Sequence, residues 1–226
     1  MTDDILQVLK KYNCKAVIFD LDGTMLDNNP YHLKAWKNYL QKIGRDMTDE
    51  EYNANLNGRT NRDVMEYLYQ RKMSDEEVLP YVLEKERLYR ELYQQDIKPV
   101  AGLLEILQLL EDYQIPMAIA TSGIQVNIDF MFDHVPVRKY FRAVVNSAHI
   151  KKGKPDPEIF LRTAEQLHVT AAECLVFEDS VVGIRSGKAA GMKVIAIATT
   201  QTKDELAIAD SIIDDYRDLL PVKKLN

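Results

Sequence analysis

Lys15-Ala16-Val17-Ile18-Phe19-Asp20-Leu21-Asp22-Gly23-Thr24 is the stretch on which the reading of this chain turns. Val17, Ile18 and Phe19 form a short apolar run closed by a glycine turn, the pattern of a buried β-strand. Two aspartates then arrive two residues apart, where that strand should end. Side chains two apart on an extended segment point the same way, so Asp20 and Asp22 are expected to project into one pocket. Two carboxylates that close repel each other unless a cation or a shared proton offsets the charge. A hard divalent metal such as Mg²⁺, which takes a few carboxylate oxygens and keeps its waters, is the economical partner. With it in place, one aspartate could act as a nucleophile and the other as an acid/base. Asp and Gly are also ordinary turn residues, so the stretch alone reads equally as an acidic exit from a strand. The rest of the chain bears on that choice.

The 226 residues suffice for one large domain or one and a half, with ample apolar surface for a core. A hydrophobic fraction of 46% and a charged fraction of 28% are those of an ordinary water-soluble globular chain. The net charge of −6 argues against a nucleic-acid or anionic-membrane partner. Cys14 and Cys174 sit beside apolar runs and read as buried free thiols, without a disulfide framework or metal-ligand spacing. The first dozen residues lack an apolar targeting segment and no run approaches a membrane span, so the expected location is the cytoplasm.

Outward from the first strand, the chain divides into two characters. Residues 1–13 read as a helical lead-in. Between 28 and 97 the apolar residues recur at helical spacing, as with His32, Ala35, Trp36, Tyr39, Leu40 and Ile43 before the stop at Gly44. Thr48-x-x-Glu51 and Ser74-x-x-Glu77 read as capping boxes. Pro80 either kinks the last helix or marks its start. Val82, Tyr89 and Leu92 give that helix an apolar side. No strand signal occurs here, so residues 28–97 are expected to form an all-helical insert in an α/β core made of 1–27 and 98–226. From Leu103 onward helices and strands alternate: helices 103–113, 124–134, 157–167, 181–190 and near 203–208; strands 115–120, 143–146, 174–177, 193–198 and 211–213. Such alternation implies βαβ units and a Rossmann-like parallel sheet covered on both faces. In such sheets ligands bind outside the carboxyl ends of the strands.

The residues just after each strand therefore carry the chemistry. Thr121, Ser122 and Gly123 offer hydroxyls and backbone amides suited to a phosphate oxygen, or a plain helix cap. In Lys151-Lys152-Gly153-Lys154-Pro155-Asp156-Pro157, a lysine held by the prolines could neutralise a phosphate, or the run is a solvated basic loop. Glu178-Asp179-Ser180 is a second acidic pair that could complete a metal site with Asp20 and Asp22, or cap the following helix. Together, at the same end of successive strands, they make up what a phosphoryl-transfer site needs. Such a site requires Lys154 and Asp179 to meet Asp20 at one rim. Gly183-Ile-Arg-Ser-Gly187-Lys188-Ala189 looks like a P-loop, but is one residue short between its glycines and ends in Ala; it reads as a helix packed by small residues.

Four ordered segments, Phe19-Asp20-Leu21-Asp22-Gly23-Thr24, Thr121-Ser122-Gly123, Gly153-Lys154-Pro155-Asp156-Pro157 and Phe177-Glu178-Asp179-Ser180, resemble the motifs of the haloacid dehalogenase superfamily. The likeness runs through Gly183 and Ala189-Ala190-Gly191-Met192 and covers nearly everything after residue 14. The insert is similar to the cap of the β-phosphoglucomutase-like phosphatase branch, with Tyr31-His32-Leu33-Lys34-Ala35-Trp36-Lys37 resembling the cap's start. The resemblance implies Asp20 as nucleophile, forming an aspartyl-phosphate, and Asp22 as acid/base. It implies Mg²⁺ held by Asp20, the Asp22 backbone carbonyl and Asp179, with Glu178 in support. Thr121, Ser122, Gly123 and Lys154 would hold and neutralise the phosphoryl group.

On the insert, His32 and Trp36 share a helix face, turned either to the site or to the helices' own core. The mutases of this branch are expected to carry Lys-Gly then Ser-Arg in the segment here reading Leu56-Asn57-Gly58-Arg59-Thr60-Asn61-Arg62, their arginine gripping a distal phosphate. Asn57 stands at the lysine position and Asn61 at the arginine position, with Arg59 and Arg62 displaced in register. A displaced guanidinium does not inherit a bidentate contact. The expected activity is thus Mg²⁺-dependent hydrolysis of a small phosphorylated metabolite of the sugar-phosphate kind, by a monomer, with Gly58, Arg59 and Asn61 near the substrate. A β-phosphoglucomutase-type isomerase is the alternative. A metal-free dehalogenase would not need the Asp22–Asp179 apparatus, and a non-enzymatic phospho-accepting module would not need the helical insert.

Overall fold

The computed structural model of the chain describes residues 3–221. Helix α1 (Ile5–Tyr12) opens at Asp4, whose carboxylate accepts from the Gln7 N–H while the Gln7 side chain returns to the Asp4 N–H. Residues 1 and 2 of the expected lead-in lie outside the described residues. Strand β1 (Ala16–Phe19) is buried at every position. Val17 and Phe19 face one side, among residues of α1, α6 (Leu103–Asp112) and α7 (Gln125–His134). Ala16 and Ile18 face the other, among residues of α8 (Glu158–Gln166) and α9 (Val181–Ala189). A strand covered on both sides must be apolar throughout, which is why the run shows no polar alternation.

The sheet is parallel with strand order β3-β2-β1-β4-β5-β6. The other strands are β2 (Met117–Ala120), β3 (Phe141–Val145), β4 (Cys174–Glu178), β5 (Lys193–Ile197) and β6 (Ser211–Ile213). The order reverses between β1 and β4, so the switch point where ligands bind in such sheets lies beside Asp20. Three expectations shift. Strand β2 begins at Met117 instead of 115, because the Ile115 N–H still closes the end of α6 on the Leu110 carbonyl. Strand β3 begins at Phe141 instead of 143, because Phe141 packs edge-on to Phe19. The expected helix near 203–208 is a single 3₁₀ turn, Glu205–Ile208, since β6 starts three residues later and leaves no room for a second turn.

Four helices separate β1 from α6: α2 (Asn29–Lys42), α3 (Asp49–Asn55), α4 (Asn61–Tyr69) and α5 (Asp75–Tyr93). No strand occurs among the described residues from 28 to 97. Ser74 and Glu77 form the full reciprocal cap of α5. The Thr48 hydroxyl accepts from the Glu51 N–H, but the Glu51 carboxylate goes to Arg45 and Tyr67 instead, so only half of that box exists. Helix α5 starts ahead of Pro80 and runs through it; the missing N–H falls in the second turn, where Pro80 is exposed. Trp36, Tyr39, Leu40, Tyr52, Val64, Met65 and Val82 form a separate apolar core for these helices.

Phe177 on β4 stacks on Phe19 with ring centroids 5.2 Å apart and meets Tyr216 edge-on at 5.1 Å. It sits directly behind the loop that carries Glu178 and Asp179. Phe177→Ala is expected to destabilise the fold by about 3–5 kcal/mol, measured as a lower urea midpoint at unchanged m-value.

Candidate active site

Asp20 leaves β1 at the switch point and is held by its N–H, which donates to the Phe177 carbonyl at 3.0 Å. Its side chain is buried. The Lys154 ammonium, 2% exposed, donates to Asp20 Oδ1 at 2.6 Å and to Glu178 Oε1 at 2.5 Å. The other Glu178 oxygen accepts from the Asp179 N–H, the Ser180 N–H and the Ser180 hydroxyl, each at 2.9 Å. A Cβ on Gly183 would overlap the Glu178 carboxylate, so α9 reaches this position only because residue 183 has no side chain. One turn on, Gly187 lets the same helix close on Val194, which confirms the P-loop-like run as packing. Asp179 Oδ2 accepts from the Asn29 amide at 2.8 Å. The loops after β1, β3 and β4 thus meet at one rim. Lys151 and Lys152 stay exposed, so only Lys154 of that basic run enters the interior.

Asp22 departs from the expected pairing. Its carboxylate turns from Asp20 toward the helical insert, taking a bond from Asn28 Nδ2 at 2.5 Å and lying 3.3 Å from His32 Nε2. The two aspartates line one cavity but have separate partners, because repulsion is relieved by divergence as well as by a shared cation. The carboxylates within 4.8 Å of one another are those of Asp20, Glu178 and Asp179, without that of Asp22.

Thr121 and Ser122 do not cap α7, whose first turn follows Ile124. The Thr121 hydroxyl accepts from the Gly123 N–H at 2.9 Å, and the Ser122 hydroxyl donates to the Gly58 carbonyl at 3.0 Å, across to the insert. Gly58 adopts φ +72°, and a Cβ there would stand 2.7 Å from Ser180 Oγ and from Val182. The α3–α4 loop is therefore seated on the core. Of the residues considered for capping α9, Ser180 takes the role, accepting from the Gly183 N–H, while Asp179 stays with the cluster.

Between core and insert lies a cavity of about 60 Å³ floored by Asp20, Asp22, Thr121 and Ser122. Its upper wall includes His32, Trp36, Asn57, Gly58, Arg59 and Asn61. His32 stacks on Tyr89 at 3.8 Å and contacts Lys85 Nζ through Nδ1 at 2.8 Å. Trp36 serves both purposes weighed for it, packing edge-on to Tyr39 and reaching the wall. Arg62 does not reach the cavity; it pairs with Asp75 on the outer surface. A larger cleft of about 1020 Å³ opens to solvent between α4 and the 151–156 loop, and borders the site only through Arg59 and Lys154. Several of its charges are paired at the surface, Arg71 with Glu77 and Lys72 with Glu66. The small cavity, holding Asp20 and Asp22, is the candidate site.

Burial, reinforced by Glu178, pushes the Asp179 carboxyl up to about 8. Burial likewise raises Asp20 well above the carboxylate range, with Glu178 and Asp179 adding to the rise and Lys154 opposing it. Burial also works against the Lys154 ammonium, but Asp20 and Glu178 outweigh it and hold its pKa above the lysine range. At Asp22 the burial penalty is overcome by His32, Asn28 and Lys85, and the net direction is down. Once all three ionise, the buried carboxylates outnumber the one lysine among them, and a dication on Asp20 and Asp179 would offset that excess in place of protons. The donor set is all oxygen and suits Mg²⁺.

This has a measurable consequence. Without divalent cation, stability is expected to fall as pH rises from about 4 to about 8. In that window folded Asp179 keeps a proton that the unfolded chain has released, so the folded state binds more protons and the slope is negative. The depressed carboxyls of Asp22 and Glu86 give the opposite slope, at the acid edge of that window and below it. Mg²⁺ should remove the slope by binding the ionised folded cluster. Melting temperatures at pH 5 and 8, with EDTA or Mg²⁺, check this; a melting temperature indifferent to both would contradict it.

Sequence reading missed five polar residues here. Asn28 links the Gly23 N–H, Asp22 and the Tyr89 hydroxyl, and Asn29 holds Asp179. Lys85 and Glu86, each 2% exposed, are buried on α5, and Asn127 of α7 reaches Glu86. A signal for the α5 pair existed: positions 85 and 86 fall within the apolar stripe of Val82 and Tyr89.

A doubly wound sheet with a lysine-bridged carboxylate cluster at its switch point, covered by an inserted helical layer, defines a class of α/β hydrolytic enzymes. Residues 17–197 match the family described as haloacid dehalogenase-like hydrolase, and the chain belongs to that family. It is 31% identical over 182 residues to the fructose-1-phosphate phosphatase YqaB of Escherichia coli, covering 80% of this chain and 95% of that one. It is 31% identical over 214 residues to the β-phosphoglucomutase of Bacillus subtilis, covering 91% of each. A solved haloacid dehalogenase hydrolase of family IA, variant 3, from Entamoeba histolytica superposes with a TM-score of 0.81 at 33% identity, over 91% of this chain and 95% of that one. The protein is thus an enzyme of a hydrolase family whose relatives include phosphatases and a phosphosugar mutase.

Proposed function

We propose that the chain is a Mg²⁺-dependent phosphatase of a small phosphorylated metabolite of the sugar-phosphate kind. The carrying observation is Asp20 at the switch point, bonded to Lys154 at 2.6 Å, in one cavity with Asp22. Asp20 attacks phosphorus and forms an aspartyl-phosphate as the bond to the leaving oxygen breaks. The negative phosphoryl group opposes the downward shift of the Asp22 carboxyl, so Asp22 enters the reaction protonated; it gives that oxygen its proton and regains one from the water that hydrolyses the aspartyl-phosphate. His32 and Asn28 hold Asp22 between these steps. Lys154 offsets charge on the phosphoryl oxygens, and the Thr121 hydroxyl, which accepts from the Gly123 N–H and keeps its own proton to donate, orients them with the Ser122 backbone N–H. Asp20, Asp179 and the Asp22 carbonyl would hold Mg²⁺, which when bound supplies further positive charge to the phosphoryl oxygens. Glu178 fixes Lys154 and the Asp179 loop.

Residues 28–97 act as a cap over the core of 1–27 and 98–226. A cavity of about 60 Å³ holds a few waters but not a sugar phosphate, so the cap opens to admit substrate and closes to exclude solvent. The similarity to fructose-1-phosphate phosphatase YqaB supports a phosphorylated carbohydrate. The similarity to β-phosphoglucomutase supports the mutase reading, but Asn61 and the outward-facing Arg62 weigh against a grip on a second phosphate. Release of phosphate from p-nitrophenyl phosphate with and without Mg²⁺, followed by a panel of phosphorylated metabolites, tests the proposal. Conversion of β-glucose 1-phosphate, primed with the 1,6-bisphosphate, into glucose 6-phosphate without free phosphate would establish the mutase instead.

A further inference from the structure

Among the described residues, Glu86 is the one carboxylate that the insert contributes to the cavity wall. It is fixed from three helices. Its Oε1 accepts from Lys85 Nζ at 3.0 Å and from the Asn61 amide at 2.9 Å; its Oε2 accepts from the Asn127 amide at 2.7 Å. Asn127 is itself held by Arg90, which donates to its Oδ1 at 2.8 Å. Burial opposes the Glu86 charge, but Lys85, His32 and the two amides outweigh it and keep the carboxyl ionised.

A carboxylate has about four acceptor sites. The three bonds leave one, on Oε2, in a residue that lines the cavity. Across the same wall, Asn57 Nδ2 and Arg59 Nε are buried donors without a partner among the described residues. An acceptor and two donors on one wall complement hydroxyl groups, which both give and receive hydrogen bonds. The cations do not offer a deep site for an anion. Lys85 Nζ is spent on His32 and Glu86 and lies 4.8 Å from the Trp36 ring. Arg59 is half-exposed, beside the outer cleft.

We propose that Glu86 is the specificity-determining residue of this wall, accepting a hydroxyl of the leaving group and excluding a leaving group that bears a second phosphate. The inference rests on the phosphatase reading and narrows its substrate class to hydroxyl-rich monophosphates. Lys85 bonds Oε1 and leaves the open site on Oε2, which is an acceptor; a phosphate oxygen facing it is also an acceptor, makes no hydrogen bond there, and meets a carboxylate that is fixed and cannot retreat.

The test compares kcat/KM for fructose 1-phosphate and fructose 1,6-bisphosphate, which differ by one phosphate at the far end. The wild type is expected to favour the monophosphate by about tenfold or more, and Glu86→Gln to lose most of that preference. Glu86→Asp keeps the charge and should keep the discrimination. The bisphosphate should also inhibit wild-type hydrolysis of p-nitrophenyl phosphate about tenfold more weakly than the monophosphate does, a readout that needs no variant to fold. Phosphate release from both sugars with equal kcat/KM, or an active Glu86→Gln enzyme with the full wild-type preference, overturns the role of Glu86 and leaves the phosphatase reading standing. Absence of release from every ester overturns both.

Discussion

Asp20→Asn is expected to lower kcat by about 10⁴-fold or more, on the scale seen when a nucleophile is removed, with the fold intact. The amide is nearly isosteric and its oxygen can still accept from Lys154, so the loop after β1 keeps its anchor. It cannot attack phosphorus. The change also removes a buried carboxyl whose charged form burial already disfavours, so stability should hold or rise slightly. Steady-state kinetics with far-ultraviolet circular dichroism and a thermal melt check this together. A folded Asp20→Asn protein with full turnover would remove Asp20 from the chemistry.

Lys154→Met is expected to damage both stability and turnover. The ammonium is shared by Asp20 and Glu178 and is 2% exposed. Its loss leaves two buried carboxylates without their cation, at a cost of about 3–5 kcal/mol. Lost charge stabilisation of the phosphoryl group should lower kcat by about 10²–10³-fold. The stability penalty should be smaller at pH 5 than at pH 8, because the carboxyls can take up protons in place of the lysine. Urea denaturation at the two pH values, beside initial rates, measures both effects. An equal penalty at both pH values would mean that Lys154 contributes packing more than charge.

Much of this arrangement is legible before any coordinates. A run such as Ala16–Phe19 has to be buried on both faces, and alternation of such runs with helical periods leaves few topologies open. Once the strands are placed, the carboxyl-edge rule selects Asp20, Thr121, Asp179 and the basic run 151–154 without reference to distance, and the family resemblance singles out Lys154 within that run. Caps are local, so Ser74 and Glu77 are read correctly from spacing. At Thr48 spacing misleads, since Arg45 and Tyr67 compete for Glu51.

The primary structure by itself determined the parallel α/β core, the helical insert and the residue types at the carboxyl edge, because those follow from periodicity and from chemistry along the chain. Tertiary structure alone decided that Asp20 and Asp22 part company, that Lys154 lies buried while Lys151 and Lys152 do not, and that Asn127 joins Glu86 at the cavity. The reason is desolvation: whether a charge is withdrawn from water, and which opposite group meets it there, depends on segments far apart in the chain, 134 residues in the case of Asp20 and Lys154.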